Sequence, residues 1–264
     1  MRAHLMTRGT RRRHDYAFLG EAPPDQWWNA LARWVFMESE ELVIRRREDG
    51  RTGLVISGIP SQRTDAIGTR IRHTLVVDAV HEDQRLALWL VRCGLDDAER
   101  ARLGKALDAA FDGDLVNALM SGTDGEVDTR LLDALQTAAG DTEDEETSKD
   151  APGSWAGGAQ DEASVRAFVA RVRRLLTEDP AGYAFTTHAL GSLSGAERAA
   201  SDLPDEVAVL LHDSALRGVH QLGKGPAPAR SRERTTSKRK ARMAVLTLAG
   251  LAVALGVWWV FRRS

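Results

Sequence analysis

Apolar and polar residues alternate through positions 70–77, with Ile71, His73, Leu75 and Val77 on one side and Arg70, Arg72, Thr74 and Val76 on the other. A period of two sends successive side chains to opposite faces of a strand, so this run predicts a strand that is wet on one face where it begins. Two further strand-like runs, 41–46 and 52–59, flank Asp49-Gly50. That dipeptide favours a hairpin, because glycine accepts the positive φ of a tight turn. Pro60 is expected to end the second run by removing a backbone donor. Residues 16–20 form a candidate short first strand.

The apolar period then lengthens. Leu86, Trp89, Leu90 and Cys93 recur every three or four positions, as do Leu103, Leu107, Ala110 and Phe111, and residues 128–140 repeat the pattern. These spacings predict helices. Earlier, Trp27, Leu31, Trp34 and Val35 trace one stripe of another expected helix. Tryptophans at helical spacing read as a core surface rather than a ligand cage, with Trp28 pointing away. Strand, helix, strands, then helices predict an α+β domain over residues 16–139, with a small mixed or antiparallel sheet and packed helices.

Residues 141–160 carry six acids and then glycine, proline and serine without periodicity, so 140–163 reads as a flexible linker. From 164 to 222 a small helical region is expected. Val165, Phe168, Val169, Val172, Leu175 and Leu176 form one apolar face, Ser194 and Glu197 make a capping box, and Pro204 opens a helix carrying Val207, Leu210 and Leu211.

Charge adds the ends of the chain to this picture. The net charge of −2 over 264 residues hides an arginine-rich start whose first fourteen residues hold no acid, and 1–15 is read as a basic flexible arm. Residues 223–242 are basic, and 243–261 hold no charged residue. Nineteen such residues span roughly 28 Å as a helix, close to a hydrocarbon core, so a single C-terminal transmembrane helix is expected. Lys238, Arg239, Lys240 and Arg242 on one side, and Trp258, Trp259, Arg262 and Arg263 on the other, fit the two interfaces. The basic flank places the N-terminal region in the cytoplasm, making the chain a tail-anchored, single-pass protein of the cell membrane. Its sole cysteine, Cys93, excludes a disulfide within the chain.

No nucleotide loop, nucleophile elbow or paired metal-ligand spacing occurs, so neither cofactor nor metal is expected. The region that concentrates polar chemistry is 57–73. Arg63, Arg70 and Arg72 are candidate ligand-binding residues, since guanidinium forks match phosphate and carboxylate. His73, Asp65 and Ser61 are weak catalytic candidates. Cys93 ends an apolar helical stripe and reads as buried rather than nucleophilic. The leading expectation is a membrane-tethered recognition or adaptor protein that binds a cytosolic protein or a small anionic ligand, with recognition favoured over catalysis. The alternatives are a membrane-anchored hydrolase or phosphoester-processing enzyme using Arg63–His73, and a membrane-disrupting effector that acts after self-association. The expected partners are the bilayer and a cytosolic protein, with a small anion and a second copy as further candidates. No nucleic acid is expected.

Overall fold

The computed structural model describes residues 1–223 apart from 12, 13, 25, 124, 141–148 and 179. Its strands are β1 (Arg2–Thr7), β2 (Ala17–Phe18), β3 (Leu42–Arg46), β4 (Thr52–Thr64), β5 (Arg70–Asp78), β6 (Trp155–Gly158), β7 (Gly182–Thr187), β8 (Glu206–Leu211) and β9 (His220–Gln221). All join one sheet in the order β2-β1-β5-β4-β3-β7-β8-β6-β9. Pairing is antiparallel from β2 to β7, parallel through β7, β8 and β6, and antiparallel again at β9.

The central strands are buried on both faces, and the two-residue period sorts their side chains between two cores. Leu42, Ile44, Leu54, Ile56, Leu75, Val77, Ala184, Ala208 and Leu210 face one core. Val43, Val55, Val76, Tyr183, Phe185, Val207, Val209 and Leu211 face the other. Burying each large aliphatic side chain contributes about 1.5–3 kcal/mol, so both faces demand a cover.

The first face is covered by helices α1 (Gln84–Leu95), α2 (Asp97–Ala110), α4 (Val127–Ala139) and α5 (Glu162–Thr177). Leu86, Trp89, Leu90 and Cys93 of α1 are buried at the expected spacing, and Asp83 caps the helix by accepting from Leu86 N at 3.0 Å. The short α3 (Gly113–Met120) follows α2. On the second face lie α6 (Leu193–Asp202) and the tryptophan segment.

That segment packs as a core surface, but it forms a five-residue 3-10 helix, Trp27–Leu31, without a side-chain cap. Trp28 is buried with Trp27 and Trp34 rather than pointing away. The sheet seats the rings: a Cβ on Gly53 would lie 2.7 Å from Trp27.

Several expectations change. Pro60 lies inside β4, which runs on to Thr64, and the pairing with β5 slips on either side of it. A bulge tolerates the missing donor there. Residues 1–15, read as an arm, hold β1, which pairs with β5 in the register Leu5↔Leu75. The span read as linker contains β6, and the span read as helical contains three more strands. The described residues all belong to one compact unit.

The membrane reading also needs correction. Among the described residues no helix is long and apolar enough to cross a membrane. The longest described helix, α5, has 16 residues and carries Arg166, Arg171, Arg173 and Arg174. Its Arg171 is buried, donating to Asp150 at 2.8 Å and to the Ala151 and Gly153 carbonyls at 2.8 and 2.6 Å. The expected transmembrane helix 243–261 lies outside the described residues, as do Lys238, Arg239, Lys240, Arg242, Trp258, Trp259, Arg262 and Arg263. The corrected fold class is a mixed α+β sheet covered on both faces, with no membrane-crossing helix in the described fold. The described fold offers no membrane-crossing helix, so the bilayer partner and its dependent partners, the cell-membrane localisation and the three membrane-based functions have no support in it.

Candidate functional site

Because β6, β7 and β8 are parallel, their carboxyl ends share one edge of the sheet. The chain leaves β6 for α5 on one face and leaves β7 for α6 on the other. Loops that part in opposite directions open a crevice at strand ends, which is where α/β sheets bind ligands. A cleft of about 750 Å³ lies there. Ala159 and Gln160 follow β6, His188 follows β7, and His212 and Asp213 follow β8, and all five line it. Gly58, Pro60, Arg70 and Arg72 enter from β4 and β5, while Asp96, Asp97 and Arg100 enter from the α1–α2 junction.

Beneath the histidines sits Glu41, which immediately precedes β3. Antiparallel pairing brings the start of β3 beside the end of β7. Glu41 is 1% exposed. Its Oε1 accepts from His188 N at 2.9 Å, and its Oε2 accepts from the Thr186 hydroxyl at 3.2 Å. Thr186 Oγ1 in turn accepts from Leu42 N at 2.9 Å, locking the carboxylate to both strands. Among the described residues no arginine or lysine pairs with Glu41. Burial therefore pushes its carboxyl up to about 7, although the bonds from His188 and Thr186 oppose the rise.

The His188 and His212 rings stack with centroids 3.9 Å apart and planes 12° from parallel. Burial, then the neighbouring His188 and Arg100, lowers His212 to about 4, so it is neutral at physiological pH. His212 Nε2 and His188 Nδ1 are buried atoms without a hydrogen-bond partner among the described residues. His188 Nδ1 lies 3.4 Å from Glu41 Oε1 without the alignment of a hydrogen bond. One donor atom from each of Glu41, His188 and His212 falls within 4.8 Å of the others. Among the described residues these three side chains form the cluster able to hold a metal ion.

The polar residues of 57–73 divide between two places. Arg70 and Arg72 line the cleft, where Arg72 pairs with Glu40 at 2.5 Å and Arg70 pairs with no carboxylate among the described residues. Arg63, Ser61 and His73 lie instead in a buried network around Asp108 of α2. Asp108 accepts from Ser61 Oγ at 2.7 Å, Gln62 N at 2.6 Å, His73 Nε2 at 3.1 Å and Arg63 Nε at 3.2 Å. Burial opposes ionisation of Asp108, but these donors outweigh it and hold the carboxyl well below its usual range. His73 Nδ1 meets the Thr7 hydroxyl at 2.9 Å, which also accepts from Arg63 at 2.9 Å. Each member is satisfied by another, which marks a structural clamp between α2, β4, β5 and β1. Asp65 closes the β4–β5 turn, accepting from Ile67 N and Thr69 N and pairing with Arg8 at 2.7 Å. His81 accepts from Thr52 N at 3.3 Å, away from the cleft. Burial pushes the Cys93 thiol up to about 12, so it is an inert core residue.

Sequence reasoning missed Glu41, His188 and His212. The available signal was the shared pattern "FTTH" and "VLLH", a histidine directly after a run of β-branched and apolar residues. It went unread because 206–211 was taken as helix and 182–187 was not taken as strand. No protein-family model, curated relative or solved structure matches this chain.

Proposed function

We propose that this protein binds a small polar molecule bearing groups of both signs, in the cleft at the carboxyl ends of β6, β7 and β8. The observation that carries the reading is the lining. Arg70, Arg72 and Arg100 share the cleft with Glu40, Asp97 and Asp213, beside the stacked imidazoles of His188 and His212. Arg100 is held in place by Asp97 at 2.6 Å and by the Gly94 carbonyl, and is only 4% exposed, so its charge is fixed rather than solvated. Exposed Arg70 is free to meet an acidic group, while Asp213 offers a counterpart for a basic one. The cleft is large enough for a metabolite-sized ligand, since such sites commonly enclose about 300–1,000 Å³.

A direct test titrates the full chain with three matched probe sets: simple carboxylates, simple amines, and amino acids that carry both groups. Binding is followed by calorimetry and by thermal shift. The amino acids are expected to bind more tightly than either single-charge set, and Arg70→Gln combined with Arg72→Gln is expected to weaken them at least about tenfold, the loss of one charged hydrogen bond. Equal binding of all three sets, or an unchanged affinity in the double variant, overturns the assignment.

A further inference from the structure

We propose that Glu41, His188 and His212 form a binding site for one divalent transition-metal ion, zinc being the best fit, with an open coordination position facing the cleft. The inference stands on the three side chains themselves and holds whatever molecule the cleft accepts.

Three independent features support it. The first is convergence: Glu41, His188 and His212 come from the adjoining ends of β3, β7 and β8, which are neighbours in the sheet. Their donor atoms lie within 4.8 Å of one another. Tetrahedral zinc with bonds of about 2.0–2.1 Å separates its ligands by roughly 3.3 Å, so small side-chain rotations close the triangle. The second is the pair of orphaned nitrogens. His188 Nδ1 and His212 Nε2 are both buried without a hydrogen-bond partner among the described residues. A buried polar atom left unpaired costs about 1–3 kcal/mol, and two such atoms on stacked rings, one of them 3.4 Å from the Glu41 carboxylate, call for a partner. A cation satisfies both lone pairs together. The third is charge. Glu41 is enclosed without an arginine or lysine among the described residues, and its oxygens are oriented by Thr186 Oγ1 and His188 N. Bonds of this kind hold a ligating carboxylate in place in known metal sites.

Two imidazoles and one carboxylate suit zinc, cobalt, nickel or iron rather than calcium or magnesium, which prefer oxygen alone. Three protein ligands leave a fourth position for water or a donor atom of the cleft ligand. Because both histidines line the cleft and Glu41 lies below them, that position faces solvent.

The test uses the full chain after treatment with a chelator. Zinc chloride is titrated in by calorimetry with no other ligand present, and bound metal is counted by mass spectrometry after dialysis. One zinc per chain is expected. His188→Ala, His212→Ala and Glu41→Gln are each expected to weaken binding at least about tenfold, the lower bound of what even outer-sphere changes cost. His220→Ala is the control and should leave the affinity unchanged, because the His220 side chain meets the Arg217 carbonyl and is not part of the cluster. Circular dichroism shows whether each variant folds. Cobalt loaded into the native chain gives a second readout, with visible bands typical of four-coordinate nitrogen and oxygen ligation. Absence of stoichiometric binding by the native chain refutes the site, as does zinc binding that survives unchanged in all three variants. Failure of the amino-acid titration would leave this result standing, and the reverse holds too.

Discussion

Replacing Asp108 by alanine removes the acceptor shared by His73, Ser61, Arg63 and the Gln62 amide. The His73 side chain is 0% exposed and that of Arg63 10% exposed, so water reaches the vacated donors poorly. Breaking a buried charge pair by deleting one partner costs about 3–5 kcal/mol, because the surviving charge stays enclosed. For a fold of this size, each kcal/mol moves the melting midpoint by about 2–4 °C. Asp108→Ala should therefore lower unfolding free energy by about 3–5 kcal/mol in urea melts. Asp108→Asn keeps one acceptor oxygen but turns an N–H toward the Gln62 amide, for an intermediate loss of about 1–3 kcal/mol.

Acid titration supplies the second arm. His73 is held below its usual pKa by burial, although Asp108 opposes this. An unfolded chain then binds the extra proton first, so the His73 contribution to stability is full above about 6.5 and declines as the pH falls, opposite in sign to that of Glu41. Asp108, also depressed, adds a further decline below about 4. That part of the lower decline should be missing in Asp108→Ala, leaving the shallower one due to Asp49, Asp65, Glu82 and Asp161, whose carboxyls are also depressed. A loss under about 1 kcal/mol at neutral pH, or an unchanged acid limb, would show that the network is solvated and that Ser61, Arg63 and His73 are not a clamp.

Two other predictions concern packing. A Cβ on Gly104 of α2 would lie 2.0 Å from the Pro60 carbonyl oxygen, so Gly104→Ala should cost about 1–3 kcal/mol or more through forced separation of α2 from β4. Gly191→Ala meets nothing within 4 Å and should stay within about 0.5 kcal/mol of the native protein, both measured in the same urea series. For Cys93, iodoacetamide at pH 8 should leave the folded protein unmodified and label it fully in denaturant, as mass spectrometry would show; labelling of the native state would contradict the enclosed thiol.

The first half of the fold was largely legible because its signals are local. Asp49-Gly50 marks the hairpin of β3 and β4, and α1 and α2 carry one-sided apolar stripes. The second half was not, because a strand buried on both faces loses its alternation. "VAVLL" in β8 reads equally as a helical core, and the preceding Pro204 tipped the choice. The glycines of β6 suggested a linker, yet they are small for contact: a Cβ on Gly157 would meet Ser164 Oγ at 2.5 Å, and one on Gly158 the Leu216 carbonyl at 2.4 Å. At the site, Arg70 and Arg72 were visible as exposed cations on an alternating strand. Glu41, His188 and His212 are far apart in sequence and are united only by strand order, which no local pattern encodes.

The seam between β3 and β7 has a consequence for how the chain can be divided. Their register, from Val43↔Phe185 to Arg46↔Gly182, stitches an antiparallel half to a parallel half across one hydrogen-bonded edge. Severed anywhere within 141–148, the polypeptide would yield two fragments that each present a raw apolar border, prone to clumping alone. Brought together, they would have a template for reunion, and the cleft, drawing Glu41 from one fragment and both histidines from the other, would regain its floor only on reassembly.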